Sequence, residues 1–313
     1  MPRKFELDSL QADLSAIDRL LQGRSQEDDP LGYRQYSHRK REIEERIRGI
    51  SSTSETKAEI ALFFGGRPVI GSRGISSEFA SKTIGSFQNL VSKRFASAEN
   101  ARLATRGPIP QREQSGLLIS DVVRGSFGFV LQEADAVPSL IDTQLKDIVA
   151  EIADLIYRFS AADTESLDSA YDGIDPRILG ELKNFFTDLD EAGATVRMVE
   201  GERDFTLDAD SVMRGRQRVD TMEIEVNADT EARGYLYILP ANGRFNLMPE
   251  NGGETMVGTI SGELRGLVFD AGGKPKPEYI GQCVSAVLSE KVVKERGTRK
   301  YVSYTLTGVK PAH

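Results

Sequence analysis

The chain has 313 residues, 39% of them hydrophobic, with a mean hydropathy of -0.35 and no tryptophan. That length suits about two domains, no run approaches the ~18 apolar residues of a membrane span, and the single cysteine, Cys283, excludes an internal disulfide and fits a reducing compartment. The net charge of -8 is uneven: residues 134–208 carry 6 basic and 18 acidic side chains and residues 233–313 carry 11 and 7, so the middle of the chain opposes a polyanion and the C-terminal part tolerates one.

The first eight residues run straight into a charged periodic pattern and lack the apolar core of a secretory signal. The expectation is a cytoplasmic protein with no membrane partner. Leu7, Leu10, Leu14, Ile17 and Leu21 then repeat at spacings of 3, 4, 3 and 4, a heptad seam. Gly23, Asp28, Asp29, Pro30 and Gly32 break it. A second helix is predicted over 33–50, with Tyr36, Ile43, Ile47 and Ile50 on one face. Residues 1–52 therefore read as an antiparallel helical hairpin, coiled-coil-like in pattern. Two heptads per helix are marginal in water. The hairpin must dock on the body, self-associate or grip a partner protein, which makes Leu7, Leu10, Leu14, Ile17, Leu21, Ile43 and Ile47 candidate assembly residues.

Residues 53–133 read as a mixed α/β core. The apolar runs 58–64 and 67–71 flank Gly65-Gly66 and predict a β-hairpin. Ser76 or Ser77 caps a predicted helix running to about Ala96. A loop at 107–110 and strands at 117–123 and 127–131 follow, the strands joined by a turn or bulge at 124–126.

Residues 134–194 read as bridging helices. Ile141, Leu145, Ile148, Val149, Ile152, Leu155, Ile156 and Phe159 form a broad stripe on a helix over 138–161. Asp175-Pro176 supplies a cap and a first-turn proline for the next helix, and Gly193 stops it.

From Thr195 the period falls to two, and residues 195–313 read as β-rich. Val196, Met198, Phe205 and Leu207 mark short strands, and a small helix covers 211–219. Five strands follow, at 234–239, 244–248, 255–264, 279–290 and 300–309, with Asn242-Gly243 and Asn251-Gly252-Gly253 as turn signals. Five short strands in this space predict a small antiparallel β-barrel, SH3-like or OB-like. The fold class expected is α+β.

Chemistry is sparse. Gly66 to Arg73 follows a strand and precedes a helix, as a phosphate loop does. Here Ser72 stands where that loop needs lysine and Arg73 where it needs a hydroxyl, and Pro68 removes a backbone donor. Ser54-Glu55-Thr56-Lys57 has the spacing of some acyl-transfer enzymes but sits in a polar linker that cannot depress a lysine pKa. His38, among basic residues, and the terminal His313 lack the packed surroundings a nucleophile's base requires. Cys283, within a strand-like run, reads as a small buried hydrophobe. Glu223 and Glu225 share a strand face and are the most suggestive carboxylate pair, although a solvated face explains them as well.

The last hairpin is the best binding candidate. Lys294, Arg296, Arg299 and Lys300 lie within 290–304 together with Tyr301 and Tyr304, and cations beside aromatics suit a single-stranded polyanion. A charged tip that guards a sheet edge is the simpler account. Strand alternation places Arg299 and Tyr301 on one face and Lys300 on the other. The functional expectation is a non-enzymatic interaction or regulatory protein that assembles through the hairpin, with itself or a protein partner, and recognises a partner through its β domains. No cofactor and no metal site is expected. The alternatives are a nucleic-acid-binding protein using the barrel and a metal-dependent hydrolase or nuclease using carboxylates.

Overall fold

The computed structural model describes residues 3–52, 56–100, 112–123, 127–134, 141–163, 167, 170–171, 174–227, 229–239, 243–270 and 272–312. The loop expected at 107–110, the turn at 124–126, residues 138–140 of the fourth predicted helix, Ser54, Glu55, Asn242 and His313 lie outside them. In chain order the first elements are α1 (Arg3–Gln22), α2 (Pro30–Ser52), β1 (Glu59–Gly66), β2 (Val69–Ile70), β3 (Gly74–Ile75), α3 (Ser77–Asn100), β4 (Leu117–Val123), β5 (Phe127–Glu133) and α4 (Gln144–Ser160). Next come α5 (Pro176–Ala192), β6 (Ala194–Glu200), β7 (Arg203–Leu207), α6 (Ala209–Thr221), β8 (Met222–Val226), β9 (Thr230–Leu239), β10 (Arg244–Pro249) and β11 (Met256–Ile260). The last are α7 (Gly262–Val268), β12 (Gln282–Glu295) and β13 (Thr298–Pro311). No described helix is long and apolar enough to cross a membrane. The fold is α+β, with an N-terminal helical hairpin, a mixed core and a C-terminal closed barrel.

The chain divides into two compact units. One comprises Met1–Ser76, Gly116–Ala153 and Ala194–Asp208. In it α1 and α2 pair through the predicted seam: Leu10, Ile17 and Ile43 are buried, with Leu14, Leu21, Tyr36, Ile47 and Ile50 packed against them. Ion pairs Lys40–Asp18 and Arg46–Glu6, both at 2.7 Å, link the helices. Lys4 Nζ donates to the Glu202 carbonyl at 3.0 Å, which fixes the start of α1 on the turn after β6.

The sheet of this unit has the order β4-β5-β1-β6-β7. β1 is its centre, antiparallel to both β5 and β6 over six residue pairs each. This corrects the hairpin predicted about Gly65-Gly66: both edges of β1 are occupied, and Pro68 lacks the donor a ladder needs. β2 pairs with β3 instead. β6 and β7 likewise belong to this sheet, not with the C-terminal strands beside which the sequence sets them. Ala61, Phe63, Val130 and Val199 form one core of the sheet, and Gly128 leaves room for the Phe63 ring, which a Cβ there would meet at 2.3 Å.

The helix predicted from 138 begins at Gln144. Thr143 precedes it, and its Oγ1 accepts from Lys146 N at 3.3 Å and donates to Glu133 Oε2 at 2.7 Å. Ile141 is 77% exposed and outside the stripe.

The other unit comprises Ser77–Ser115, Asp154–Gly193 and Ala209–His313. α5 has the predicted caps: Asp175 accepts from Arg177 N and Ile178 N, and Gly193 closes the helix at φ 58°. α3 and α5 meet through a polar cluster in which Glu181, buried, receives Lys93 Nζ at 2.6 Å and Asn89 Nδ2 at 2.8 Å. The C-terminal ladders run β9-β10-β11-β13-β12 and back to β9, a closed ring, with β8 added beside the far half of β12. The first three strands lie in sequence order, the fifth is inserted between the third and fourth, the third and fifth are parallel, and α7 sits between the third and fourth. That arrangement is OB-like. The expected strand 255–264 is thus cut short, because Ser261 ends β11 and Leu264 and Val268 turn helical to pack on the barrel core. Gly258 has no substitute at the ring closure, since a Cβ would lie 1.7 Å from the Tyr304 carbonyl oxygen. Leu236, Ile238, Phe245, Leu247, Ile260, Val284, Leu288 and Leu306 fill the interior.

Candidate functional site

The barrel presents two surfaces with binding chemistry, and the sequence singled out one. The β12–β13 hairpin turns through Arg296 at φ 49° and Gly297 at φ 76°, a two-residue turn that needs positive φ at both positions. Its cations are mostly matched internally. Lys294 Nζ is 2.5 Å from Glu225 Oε1, Arg299 Nη2 is 2.8 Å from Glu290 Oε1, and Lys300 Nζ is 3.8 Å from Glu295 Oε2. Arg296 has no ion pair among the described residues. The pair Glu223 and Glu225 faces outward on β8, and Glu225 serves Lys294.

Alternation fails where the hairpin is bulged. Val293 opposes Tyr301 and Lys294 opposes Arg299, so Lys300 is the extra residue. A bulge reverses the faces beyond it. Arg299 and Tyr301 consequently point to opposite sides, against the expectation. The Tyr301 ring packs at a tilt of 42° against Tyr171, centroids 6.1 Å apart, and receives Lys291 over its ring, while Lys291 Nζ donates to the Tyr171 and Ile174 carbonyls at 3.1 Å each. Tyr301 is thereby engaged as a packing residue. Tyr304 lies on the side of Glu290, its hydroxyl 3.5 Å from Oε1. Burial first and the Glu290 charge second push its phenol above the usual tyrosine range.

Tyr304, Val302 and Arg299 form one wall of an open groove at the barrel end. Arg233, Glu231, Glu250, Glu254, Met256 and Val257 are among the residues that line the rest. No group of three potential metal ligands assembles there or elsewhere among the described residues.

The second surface is the outward face of β9, β10 and β11. On β9 the interior takes Gly234, Leu236 and Ile238, and Arg233, Tyr235, Tyr237 and Leu239 face out. The ladders set these in rows: Leu239 beside Arg244 and Thr259, Tyr237 beside Asn246 and Val257, Tyr235 beside Met248. Tyr235, Tyr237, Leu239, Met248 and Val257 are each between 40% and 49% exposed. Charges sit at the ends of the patch. Arg233 pairs with Glu250 at 3.2 Å at one end, and Arg244 lies at the other, where the exposed Arg265 guanidinium reaches over Gly243.

The sequence held a signal for this face. Gly234-Tyr-Leu-Tyr-Ile-Leu239 alternates, and period two separates the tyrosines from Leu236 and Ile238. Which set faces water depends on how the ring closes, and tyrosine suits either side. Cys283 is half-buried opposite Tyr235. His38 is exposed beside Glu42. Neither joins a catalytic arrangement among the described residues. No protein-family model, curated protein or solved structure matches the chain.

Proposed function

We propose that the chain is a non-enzymatic recognition protein whose barrel is the binding module. The observation that carries this is the outward face of β9–β10–β11, where two tyrosines, a methionine, a leucine and a valine lie in adjacent rows open to water. Aromatic residues and methionine at the centre with arginine at the rim is the composition of recognition surfaces, and an exposed apolar patch of this kind marks an interaction site. The helical hairpin contributes less than its pattern suggests. Leu10, Leu14, Ile17, Leu21, Ile43 and Ile47 pack on one another within the chain, so assembly through it falls to its charged outer faces. The 290–304 hairpin is a weaker polyanion site, because Glu225, Glu290 and Glu295 already answer three of its cations. A hydrolase reading has no carboxylate cluster among the described residues to build on.

The test compares the wild-type chain with a Tyr235→Ser/Tyr237→Ser variant as baits in lysate of the source cells, with and without nuclease. The variant should lose at least one specific partner while keeping its circular dichroism spectrum. Identical partner sets for both baits would remove the barrel face from recognition.

A further inference from the structure

We infer that the ligand of this face is a single-stranded nucleic acid, with bases stacked on Tyr235 and Tyr237 and the sugar-phosphate strand held by Arg244 and Arg265 at one end of the patch. The inference rests on the barrel face being the recognition surface. Strand geometry separates the two rings by about 6.6 Å, so each offers its own base a platform, and every base has a π-face to use one. Asn246 lies beside Tyr237 in the same row, within reach of the edge of a base stacked there. Arg244 and Arg265 stand at one end, while Arg233 at the other is already paired with Glu250.

Charge favours this class of partner over a protein. Between Thr230 and Pro311 there are 11 basic and 8 acidic residues, a net of +3, against a whole-chain net of -8. The barrel thus has an anion-attracting balance that the chain as a whole lacks and that it shares with residues 58–133, which carry 9 basic and 6 acidic side chains. The groove at the barrel end carries Glu231, Glu250 and Glu254 and reaches the patch at Val257, and Arg233 answers Glu250. A strand running from Arg265 across Tyr237 and Tyr235 ends at Glu250, which Arg233 already pairs.

The experiment is fluorescence anisotropy of a labelled 20-nucleotide oligo-dT and its oligo-U counterpart against the full chain, from 25 to 300 mM salt. Wild type should bind at low salt. Tyr235→Ala/Tyr237→Ala should weaken binding about ten-fold or more at unchanged salt slope, and the Tyr→Phe pair should restore it, because phenylalanine keeps the ring. Arg244→Gln/Arg265→Gln should flatten the slope of log affinity on log salt by about 1.4. Arg296→Ala/Lys300→Ala, on the hairpin, should change neither. No binding at 25 mM salt overturns the inference, and so does binding that depends on Arg296 and Lys300 and ignores the tyrosines. In the first case nuclease-resistant, tyrosine-dependent capture of a protein leaves the recognition reading standing. If that capture is also absent, both fall.

Discussion

Two carboxylates four residues apart in the β6–β7 hairpin have opposite consequences for stability. Glu200 is 9% exposed, and burial pushes its pKa up, with the charges of Arg203 and Lys146 only partly opposing. Asp204 receives both Arg197 nitrogens at 2.7 and 2.6 Å. That hydrogen-bonded guanidinium, aided by Lys4, holds its carboxyl below the usual range. A raised carboxyl pKa means that the folded state resists ionisation, so Glu200 costs stability once pH exceeds its folded pKa and costs nothing below the unfolded value near 4.3. A depressed one contributes stability above the unfolded value near 3.9 and loses it as pH falls through the folded pKa. Glu200→Gln should therefore raise stability at pH 7 by about 1 kcal/mol, with the gain fading on acidification. Asp204→Asn should lower it by about 1 kcal/mol at pH 7, a size limited by the water around Arg197, and this loss should fade as well. Urea unfolding of both variants and wild type between pH 3 and 8 measures the two curves. Curves of the same sign would contradict the assignment.

Helix ends show why some elements are legible in a sequence and others are not. Asp175, Pro176 and Gly193 act within two or three residues of the ends they cap, and each reads directly from the chain. The end of α4 is capped from far away. Arg218 Nη1 donates to the carbonyls of Arg158, Phe159 and Ala161 at 3.2, 2.9 and 2.7 Å, Nη2 donates to that of Asp163 at 3.2 Å, and Arg214 Nε donates to that of Ser160 at 3.1 Å. No local pattern announces an arginine that caps carbonyls 55 to 60 residues upstream. Asp175→Ala should cost about 1 kcal/mol, the ordinary worth of a cap. Arg218→Leu should cost about 2–3 kcal/mol, because several carbonyls lose a charged donor together. Thermal unfolding of the two variants ranks them, and an Asp175 effect larger than the Arg218 effect would refute the remote cap. The same distinction governs strands and the candidate site. The seam of α1 and α2 and the β9–β13 runs are local periodicities and were readable. The pairing of β1 with β5 and β6, the loss of β6 and β7 to the first sheet, the bulge at Lys300 and the neutralisation of Lys294 by Glu225 are long-range matches. Composition near 290–300 therefore drew attention to cations that the fold had already committed.

At the scale of the whole chain, the barrel is where local pattern and global closure coincide, and its boundary can be tested. A cut at residue 233, the start of the C-terminal stretch that carries 11 basic and 7 acidic residues, would pass through β9. Thr230, Glu231 and Ala232 pair with Leu288, Val287 and Ala286, and these pairs help join the first strand of the ring to the fourth. β8 extends the same edge, with Asn227 N donating to the Glu290 carbonyl at 2.8 Å and Asn227 Nδ2 to its carboxylate at 2.6 Å. The interior of the ring is a cluster of its own, with α7 supplying Val268 and Leu264 as a plug. A closed ring leaves no free strand edge to pair wrongly. A fragment of residues 222–313 should accordingly show one cooperative thermal transition, below that of the full chain because Lys291 and Tyr301 lose the carbonyls and ring of the 171–174 segment. A fragment of residues 233–313 should melt lower still or without cooperativity, since the pairs at 230–232 and the β8 ladder are gone. Far-ultraviolet circular dichroism of both fragments on heating decides. Equal transitions in the two would mean that the start of β9 and β8 contribute nothing to closure, and no transition in the longer one would mean that the ring depends on residues earlier in its unit.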